Sequence, residues 1–511
     1  MRKVLLYICS VFILGGMTSC EDFLDKREDV GLTEDDIFRD YYSLRGFLDQ
    51  SFNQLENVMV MDNWENGRAF VGLFADEMAT TDNSSAVFTL HSGNWLSNAK
   101  SNKTFEIGNA GSTAISRSYK ALRINNRIIN DIDKAPLTPE QKNEILGQAY
   151  FYRSWFYFQI IKRYGGMPII DKVFEGGDDD IPRMTYHESH DWMMEDIQKA
   201  IYMLPDSWDD PNYGRPTKIA AMALKEWAQL FDASPLMQNN LNSTENKGYD
   251  TERAKSAAKS AYEVIRYMDG SKSAPYPYGL ASKEEYTNVF YFKYPPVHQP
   301  EYIWVKRQFP NAANQNQKRT IRTFWQYEDL AFGSGPDGNS MCCPSLNIVN
   351  MFDKKGADGI YYPIDDPRSG YALDYDHKPF EDRDPRFYNN ILLPGTTWGH
   401  YADGRTYYIT TYKGGAAYQH MLTQKDCNKR MFTGFMCKKF MWPECNQYLE
   451  KNNPNCWWDY RFLTIYIRAS QIYLDYAEAL FEGCGSATAT IEGCPISVSY
   501  THLTLPTICS V

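Results

Sequence analysis

The sequence predicts a mainly α-helical protein, in which a scaffold of tetratricopeptide-like helix pairs carries a large, loop-rich and irregular portion. Three observations support this fold class. Apolar residues recur at helical spacing, behind N-cap signals, in several segments between residues 115 and 270. From about residue 270 to 460 the chain turns rich in Pro, Gly, Asn and aromatic residues, and the helical pattern returns at residues 468–482.

The chain opens with a leader that ends at a cysteine. Two basic residues precede an apolar stretch over residues 4–14, which is too short to cross a bilayer that needs roughly 20 residues. Small residues come directly before Cys20 and acidic residues follow it, an arrangement that resembles a bacterial lipobox. We therefore expect a signal peptide over residues 1–19 and a lipid on Cys20. An ordinary secretory signal with an incidental Cys20 is the alternative.

The charge balance argues against nucleic acid as a partner. The 511 residues contain 53 Lys and Arg against 64 Asp and Glu, a net charge of −11. Such a chain lacks the positive surface that neutralises phosphates. No later apolar run is long enough to span a membrane, so we expect the protein to be held at a membrane through its lipid.

Aromatic residues are abundant, with 37 Tyr and 12 Trp. Proteins that bind sugars use such rings, because a flat ring stacks on the apolar face of a pyranose while Tyr and Trp polar atoms bond to hydroxyls. The same rings can equally be core or surface residues. Composition alone leaves both interpretations open.

The cysteines do not predict a disulfide framework or a zinc site. None of the eleven lies between Cys20 and Cys342, so most of the chain folds without a disulfide. A later group lacks the close pairs of a zinc site, although one or two bridges within it are compatible with the spacing. This group is Cys427, Cys437, Cys445 and Cys456.

The clearest predicted helix covers residues 138–166. Thr138 can cap it, Pro139 suits its first turn, and Gln141 completes a capping box. Apolar residues repeat through it at helical spacing, and Gly165 and Gly166 end it. Thr185 and Glu188 form a second capping box, which predicts another helix up to residue 205.

Four further segments show the helical pattern. Alanines lie on the apolar stripes of two of them, residues 217–235 and 251–270, so we expect these helices to approach closely as an antiparallel hairpin. Such hairpins are the building unit of tetratricopeptide-like arrays, although no fixed-period repeat is visible. The other two segments are residues 115–133 and 468–482.

No catalytic or metal-binding motif has its required context. The segment FGSGPDGNS has the spacing of a dinucleotide-binding loop, but Pro336 breaks the helix that should start there. His187 and His190 are not spaced as the ligands of a zinc protease helix, and we expect them on a solvated helix face. We therefore expect no enzyme activity, no cofactor and no metal.

The landmarks together resemble the SusD/RagB family of outer-membrane nutrient-binding lipoproteins of Bacteroidetes. They occur in family order from residue 20 to about 482. They are CEDFLD, IIKRYGGMPII, GRPTKIAAMALKEWAQLFDASP, EDRDPRFYNNILLPG, TGFMCKKF and IYLDYAEALFE.

The resemblance implies a cell-surface lipoprotein that binds an oligosaccharide. Its implied partner is a SusC-like TonB-dependent transporter of the outer membrane, over which it sits as a lid facing the exterior. Trp95 and Trp325 occupy chain positions comparable to those of glycan-contacting aromatics in members of that family, and Tyr294 is a third candidate. Apolar neighbours leave a core role open for Trp325. The alternative functions are a surface glycoside hydrolase, or a peptide-binding or adhesive lipoprotein.

Residues 20–482 are expected to form the SusD-like nutrient-binding domain, truncated at its C-terminal end. Residues 483–511 have no helical period and carry Cys484, Cys494 and Cys509. We interpret this segment as a non-native or out-of-frame tail without a functional role.

Overall fold

Helices dominate the structure of the protein, a computed structural model. It describes residues 33–55, 75–79, 114–174, 180–238, 247–273, 277–291, 299–307, 343–371, 379–400, 406–410, 412–415, 433–439, 463–491 and 494. The α-helices in these ranges are α1 (Glu34–Phe38), α2 (Tyr41–Gln54), α3 (Ala114–Asp131), α4 (Pro139–Tyr164), α5 (Tyr186–Met203), α6 (Lys218–Ala233), α7 (Thr251–Gly270), α8 (Leu346–Met351), α9 (Pro385–Asn390) and α10 (Ala469–Cys484). The mainly α fold class is confirmed.

Helix α4 forms as its sequence predicts. The Thr138 hydroxyl accepts a hydrogen bond from the backbone N–H of Gln141, and the Gln141 side chain accepts one from the Thr138 N–H. Gly165 follows the last turn with φ at 78°, a conformation that glycine adopts without steric cost. Next to it, Gly166 lies so close to the Met184 carbonyl that a Cβ could not fit, which packs the end of α4 against the start of α5.

The long helices pack in chain order. Each of α2 to α6 contacts the helix that follows it, and α7 contacts α10 across the intervening loop-rich chain. The predicted close packing of α6 on α7 is confirmed, since Ala220, Ala257 and Ala261 are fully buried. Most of the core of the described residues lies between these helices.

Two helices at the start of the array were not predicted. Thr33 and Asp36 form a capping box at α1, and Leu44 and Leu48 of α2 are buried against α3. The array therefore begins earlier in the chain than the sequence pattern indicated.

The strands are short and pair two by two. They are β1 (Met78–Ala79), β2 (Tyr302–Arg307), β3 (Cys343–Pro344), β4 (Lys354–Lys355), β5 (Tyr361–Tyr362), β6 (Ile391–Leu392), β7 (Thr397–His400), β8 (Thr406–Tyr408), β9 (Met436–Cys437) and β10 (Leu463–Arg468). All the pairs are antiparallel: β1 with β3, β2 with β10, β4 with β5, β6 with β9, and β7 with β8. Beyond α7, the described chain thus consists of short elements up to β10, as predicted.

The last described residues continue the fold past the expected domain end. Helix α10 runs to Cys484 and ends at Gly485, whose φ is 78°. Cys494 is buried in the main core, and its backbone forms an isolated antiparallel β-bridge with Ile491. The boundary at residue 482 stays a prediction.

Candidate functional site

The residues predicted to carry function lie outside the described part of the chain. This holds for Cys20, the expected site of lipid attachment, and for the three expected glycan contacts, Trp95, Tyr294 and Trp325. Their roles therefore stay predictions. The described residues show how the loop-rich portion is built and how it is attached to the helices.

Trp304 of β2 anchors the loop-rich portion to the scaffold. Its ring lies edge-on to Phe151 and Trp155 of α4, with centroids 4.8 and 4.7 Å away, and 4.6 Å from the ring of Tyr466 on β10. Its indole N–H donates to the Gly214 carbonyl at 3.2 Å. Edge-on rings and a satisfied donor make this contact both apolar and directional.

A second set of contacts within the loop-rich portion surrounds the ring of Phe290. Lys439 Nζ lies 4.4 Å from the centroid of this ring, and the Arg468 guanidinium carbon lies 4.9 Å from it. Arg468 Nη1 also donates to Glu301 Oε2 at 3.2 Å, which joins β10 to the residue before β2. Burial, and then Arg468, lower the pKa of Lys439 to about 8. Through Phe290, the TGFMCKKF segment thereby lies close to Arg468, the last residue of β10.

Arg383 organises a small separate core within the loop-rich portion. It is 1% exposed, and it donates to the backbone carbonyls of Val349, Phe352 and Pro379. Its guanidinium lies 4.8 Å from the ring of Phe387. The core around it consists of Val349, Phe387, Ile391 and Leu393. Most of the EDRDPRF motif is therefore structural.

The same motif contains an unusual backbone conformation. Asp382 has φ at 54°, a left-handed value that is uncommon outside glycine. The next residues return to a helix, with the Asp384 carboxylate accepting from the Arg386 N–H at the start of α9. The turn at Asp382 directs the Arg383 side chain toward the backbone carbonyls to which it donates hydrogen bonds.

The two most exposed aromatic rings of the described loop-rich residues lie in and just after one hairpin. Tyr408 at the end of β8 is 58% exposed, and Tyr412 shortly after it is 49% exposed. Tyr388 is less available, because its hydroxyl donates to the Phe380 carbonyl and accepts from the Arg383 N–H. Tyr408 and Tyr412 can stack on a sugar or peptide, and the sequence analysis did not single them out. The aromatic run TYYITTY beside a glycine-bearing turn was the available signal.

The prediction that His187 and His190 lie on a solvated helix face is wrong. His187 Nδ1 lies 2.7 Å from Asp232 Oδ1 of α6. His190 is buried, with its Nδ1 3.0 Å from Asp191 Oδ1 and 3.5 Å from Asp232 Oδ2. Arg253 of α7 also pairs with Asp232. The histidines point inward because this carboxylate is buried between three helices and needs hydrogen-bond donors.

Within the described ranges no group of His, Cys, Asp and Glu is arranged to hold a metal ion. Cys484 and Cys494 are free thiols. None of the helices described is both long and apolar enough to cross a bilayer.

Two family models match the chain on either side of residues 227–299. A SusD-like model described as "Starch-binding associating with outer membrane" matches residues 22–226. The model of the SusD family matches residues 300–492. A search of curated proteins gave no match.

Solved structures with similar folds include a SusD-like protein from Bacteroides fragilis, with 21% identity and a TM-score of 0.62, covering 89% of this chain and 78% of that one. Another is a SusD-like carbohydrate-binding protein from the same species, with 19% identity, a TM-score of 0.59, and coverage of 87% and 75%. A third is surface glycan-binding protein A from Bacteroides thetaiotaomicron in complex with laminarihexaose, with 14% identity, a TM-score of 0.51, and coverage of 86% and 79%. These likenesses show the fold. With the two family models, which together extend over most of the sequence, they establish that the chain belongs to the SusD/RagB family.

Proposed function

We propose that this protein is a cell-surface lipoprotein that binds oligosaccharides and passes them to a TonB-dependent outer-membrane transporter, over which it acts as a lid. The observation that carries the proposal is the pair of SusD family matches, which covers helices α1 to α5 and the chain from β2 to α10. Proteins of similar fold are described as carbohydrate-binding, one of them in complex with laminarihexaose.

The chemistry of the loop-rich portion supports an uncharged, ring-shaped ligand. Tyr408 and Tyr412 expose their rings, whereas the cations Lys439 and Arg383 of the same portion already contact protein groups. An aromatic ring stacks on the C–H face of a sugar without needing an opposite charge. We therefore place the ligand on the loop-rich portion and on the earlier segment from about residue 62 to 110, with Trp95, Trp325 and Tyr294 as contacts and the Tyr408 hairpin as an additional one.

Glycan binding is tested with a glycan array that includes laminarihexaose, followed by calorimetry with the best ligand. Stacking on one ring is worth on the order of 1 kcal/mol, so a Trp95→Ala/Trp325→Ala double variant should bind roughly tenfold more weakly or worse. Tyr294→Ala, Tyr408→Ala and Tyr412→Ala should each have a smaller effect.

The matched control is Tyr202→Ala, which removes a ring that is 84% exposed on α5. It should bind as the wild type does. A Trp double variant that melts like the wild type and binds equally well would remove both residues from the site. One that melts much lower would place them in the core.

The same samples separate the alternative functions. Reducing sugar released from the bound oligosaccharide by rigorously purified protein would indicate a glycoside hydrolase. Binding to peptides in place of any glycan on the array would indicate a peptide-binding or adhesive lipoprotein.

A further inference from the structure

Glu226 of α6 is a buried carboxylate without a partner. Its exposed fraction is 0%, and neither of its carboxylate oxygens accepts a hydrogen bond. An ionised carboxylate in such a place has lost its water and gained nothing that stabilises the charge. The neutral acid, which needs far less solvation, is the form that fits this environment.

The nearest charged groups make ionisation still less favourable. Helix α10 packs on α6, and its Asp475 and Glu478 act electrostatically on Glu226; we call these three carboxyl groups the acid junction. Burial, and then Asp475 and Glu478, raise the pKa of Glu226 well above its usual range. Burial also raises the pKa of Asp475 to about 7, with a smaller rise from Glu478 and an opposing hydrogen bond from Gln471. Glu478 accepts a hydrogen bond of 2.8 Å from the Tyr249 hydroxyl.

No cation from the surrounding elements balances the acid junction. Helices α4, α5, α7 and α10 and strand β2 pack against α6, and among the described residues only Asp475 and Glu478 act electrostatically on Glu226. Four basic groups of those elements contact other partners. Lys162 Nζ lies over the ring of Trp227, Lys199 Nζ is 3.5 Å from Asp196, Arg253 pairs with Asp232, and Lys306 donates to the Leu55 carbonyl.

We propose that the acid junction is a proton-dependent contact between α6 and α10, in which Glu226 is held as the neutral acid while the helices are packed and ionisation loosens α10. Helix α10 follows β10 without a break, and β10 pairs with β2. The protons at the acid junction therefore control how firmly the end of the loop-rich portion is attached to the scaffold.

The direction of the pH effect follows from the protons bound in each state. In the unfolded chain Glu226 and Asp475 ionise near their ordinary pKa values of 4.5 and 3.8, whereas in the folded protein both pKa values are raised. The stabilisation is complete below the unfolded values and is lost as pH rises through the folded ones, which for Asp475 means up to about pH 7. Each extra proton held by the folded state changes the unfolding equilibrium constant by about tenfold per pH unit.

Urea unfolding of the full chain between pH 5 and pH 8 tests the proposal. The wild type should lose stability as pH rises, and Glu226→Gln, which cannot ionise, should weaken this dependence by up to about tenfold in the unfolding equilibrium constant per pH unit. The control is Glu195→Gln, which changes an exposed carboxylate on α5 and should leave the wild-type pH dependence intact. A Glu226→Gln variant with the same pH dependence as Glu195→Gln would overturn the proposal.

A measurement on the wild type covers the case in which Glu226→Gln does not fold. Infrared spectra of protein carrying isotopically labelled glutamate report the C=O stretch of a protonated glutamate carboxyl directly. That band should persist at pH 7 in the folded protein and vanish on unfolding. Its absence from the folded protein at pH 7 would also overturn the proposal.

Discussion

Arg153 joins three helices of the scaffold through buried hydrogen bonds. Its Nε and Nη2 donate to the two Asp196 carboxylate oxygens at 2.6 and 2.8 Å, and its Nη1 donates to Asn126 Oδ1 at 3.0 Å. The Arg153 and Asp196 side chains are only 5% and 2% exposed. Loss of Asp196 would leave the buried Arg153 guanidinium without its counter-ion, whereas loss of Arg153 would leave the buried Asp196 with only Lys199, whose Nζ is 3.5 Å away and whose side chain is half-exposed.

Removing one partner of this pair should be strongly destabilising. We expect Arg153→Met to lower the free energy of unfolding by about 3–5 kcal/mol, and the Arg153→Met/Asp196→Leu double variant to recover much of that loss. Arg39→Met, at the exposed pair with Asp40, should change it by no more than about 1 kcal/mol. Chemical denaturation of the variants measures this. An Arg153→Met variant with nearly the wild-type free energy of unfolding would contradict this prediction, and would mean that water replaces the lost hydrogen bonds.

Residues such as these mark the limit of prediction from sequence. The apolar residues that repeat through α4 at helical spacing, such as Ile145, Tyr152 and Phe156, are buried, as that pattern predicts. The same spacing gave no sign that Arg153, or His190 of α5, is buried too. A polar side chain is buried only where another helix offers a partner, and helical periodicity carries no information about that partner.

At the scale of elements, the N-cap hydrogen bonds determine the residue at which a helix begins. Thr185 accepts from the Glu188 N–H and the Glu188 carboxylate accepts from the Thr185 N–H, so α5 begins where its sequence predicts. We expect Thr185→Ala to lower the free energy of unfolding by about 1 kcal/mol.

Thr251→Ala is the matched control for this cap, because Thr251 is the exposed first residue of α7 and Asp250 caps that helix. It should have little effect in the same denaturation experiment. Equal losses for the two variants would mean that the methyl group of Thr185, and not its hydroxyl, stabilises α5.

Elements that depend on distant chain segments could not be predicted. The pairs of β1 with β3 and of β2 with β10 each join segments far apart in sequence, and β1 and β3 have only two residues each. Such strands carry no periodic signal of their own. Helix α1 has five residues and was missed for the same reason, although its capping box was visible at Thr33 and Asp36.

For the whole molecule, attachment to the membrane is expected to depend on Cys20. Lipid chains on Cys20 would supply the apolar area that holds the protein at the outer membrane, so Cys20→Ala should move most of the protein to the soluble fraction. Cys484→Ala, which removes an exposed free thiol of α10, is the control and should stay with the membrane. Cell fractionation in a strain lacking the transporter decides this. A membrane-bound Cys20→Ala variant would contradict the anchor.

The candidate site was less predictable than the scaffold. Trp95, Trp325 and Tyr294 were chosen by chain position in a resembled family, because no periodicity distinguishes a ring that binds sugar from a ring that packs in a core. The described rings illustrate this, because Trp304 is buried among aromatic rings whereas Tyr408 is exposed to solvent. Only tertiary structure separates the two cases.

The pairing of β2 with β10 has a consequence for how this fold can diversify. The two strands fix the ends of the chain between residues 307 and 463 side by side on the scaffold. Once these ends are held, the entropy of closing the intervening loop grows only with the logarithm of its length, so doubling that length costs about 0.6 kcal/mol. Insertions and deletions between the strands would therefore cost the helical array little, and ligand preference could change through them without rebuilding the core.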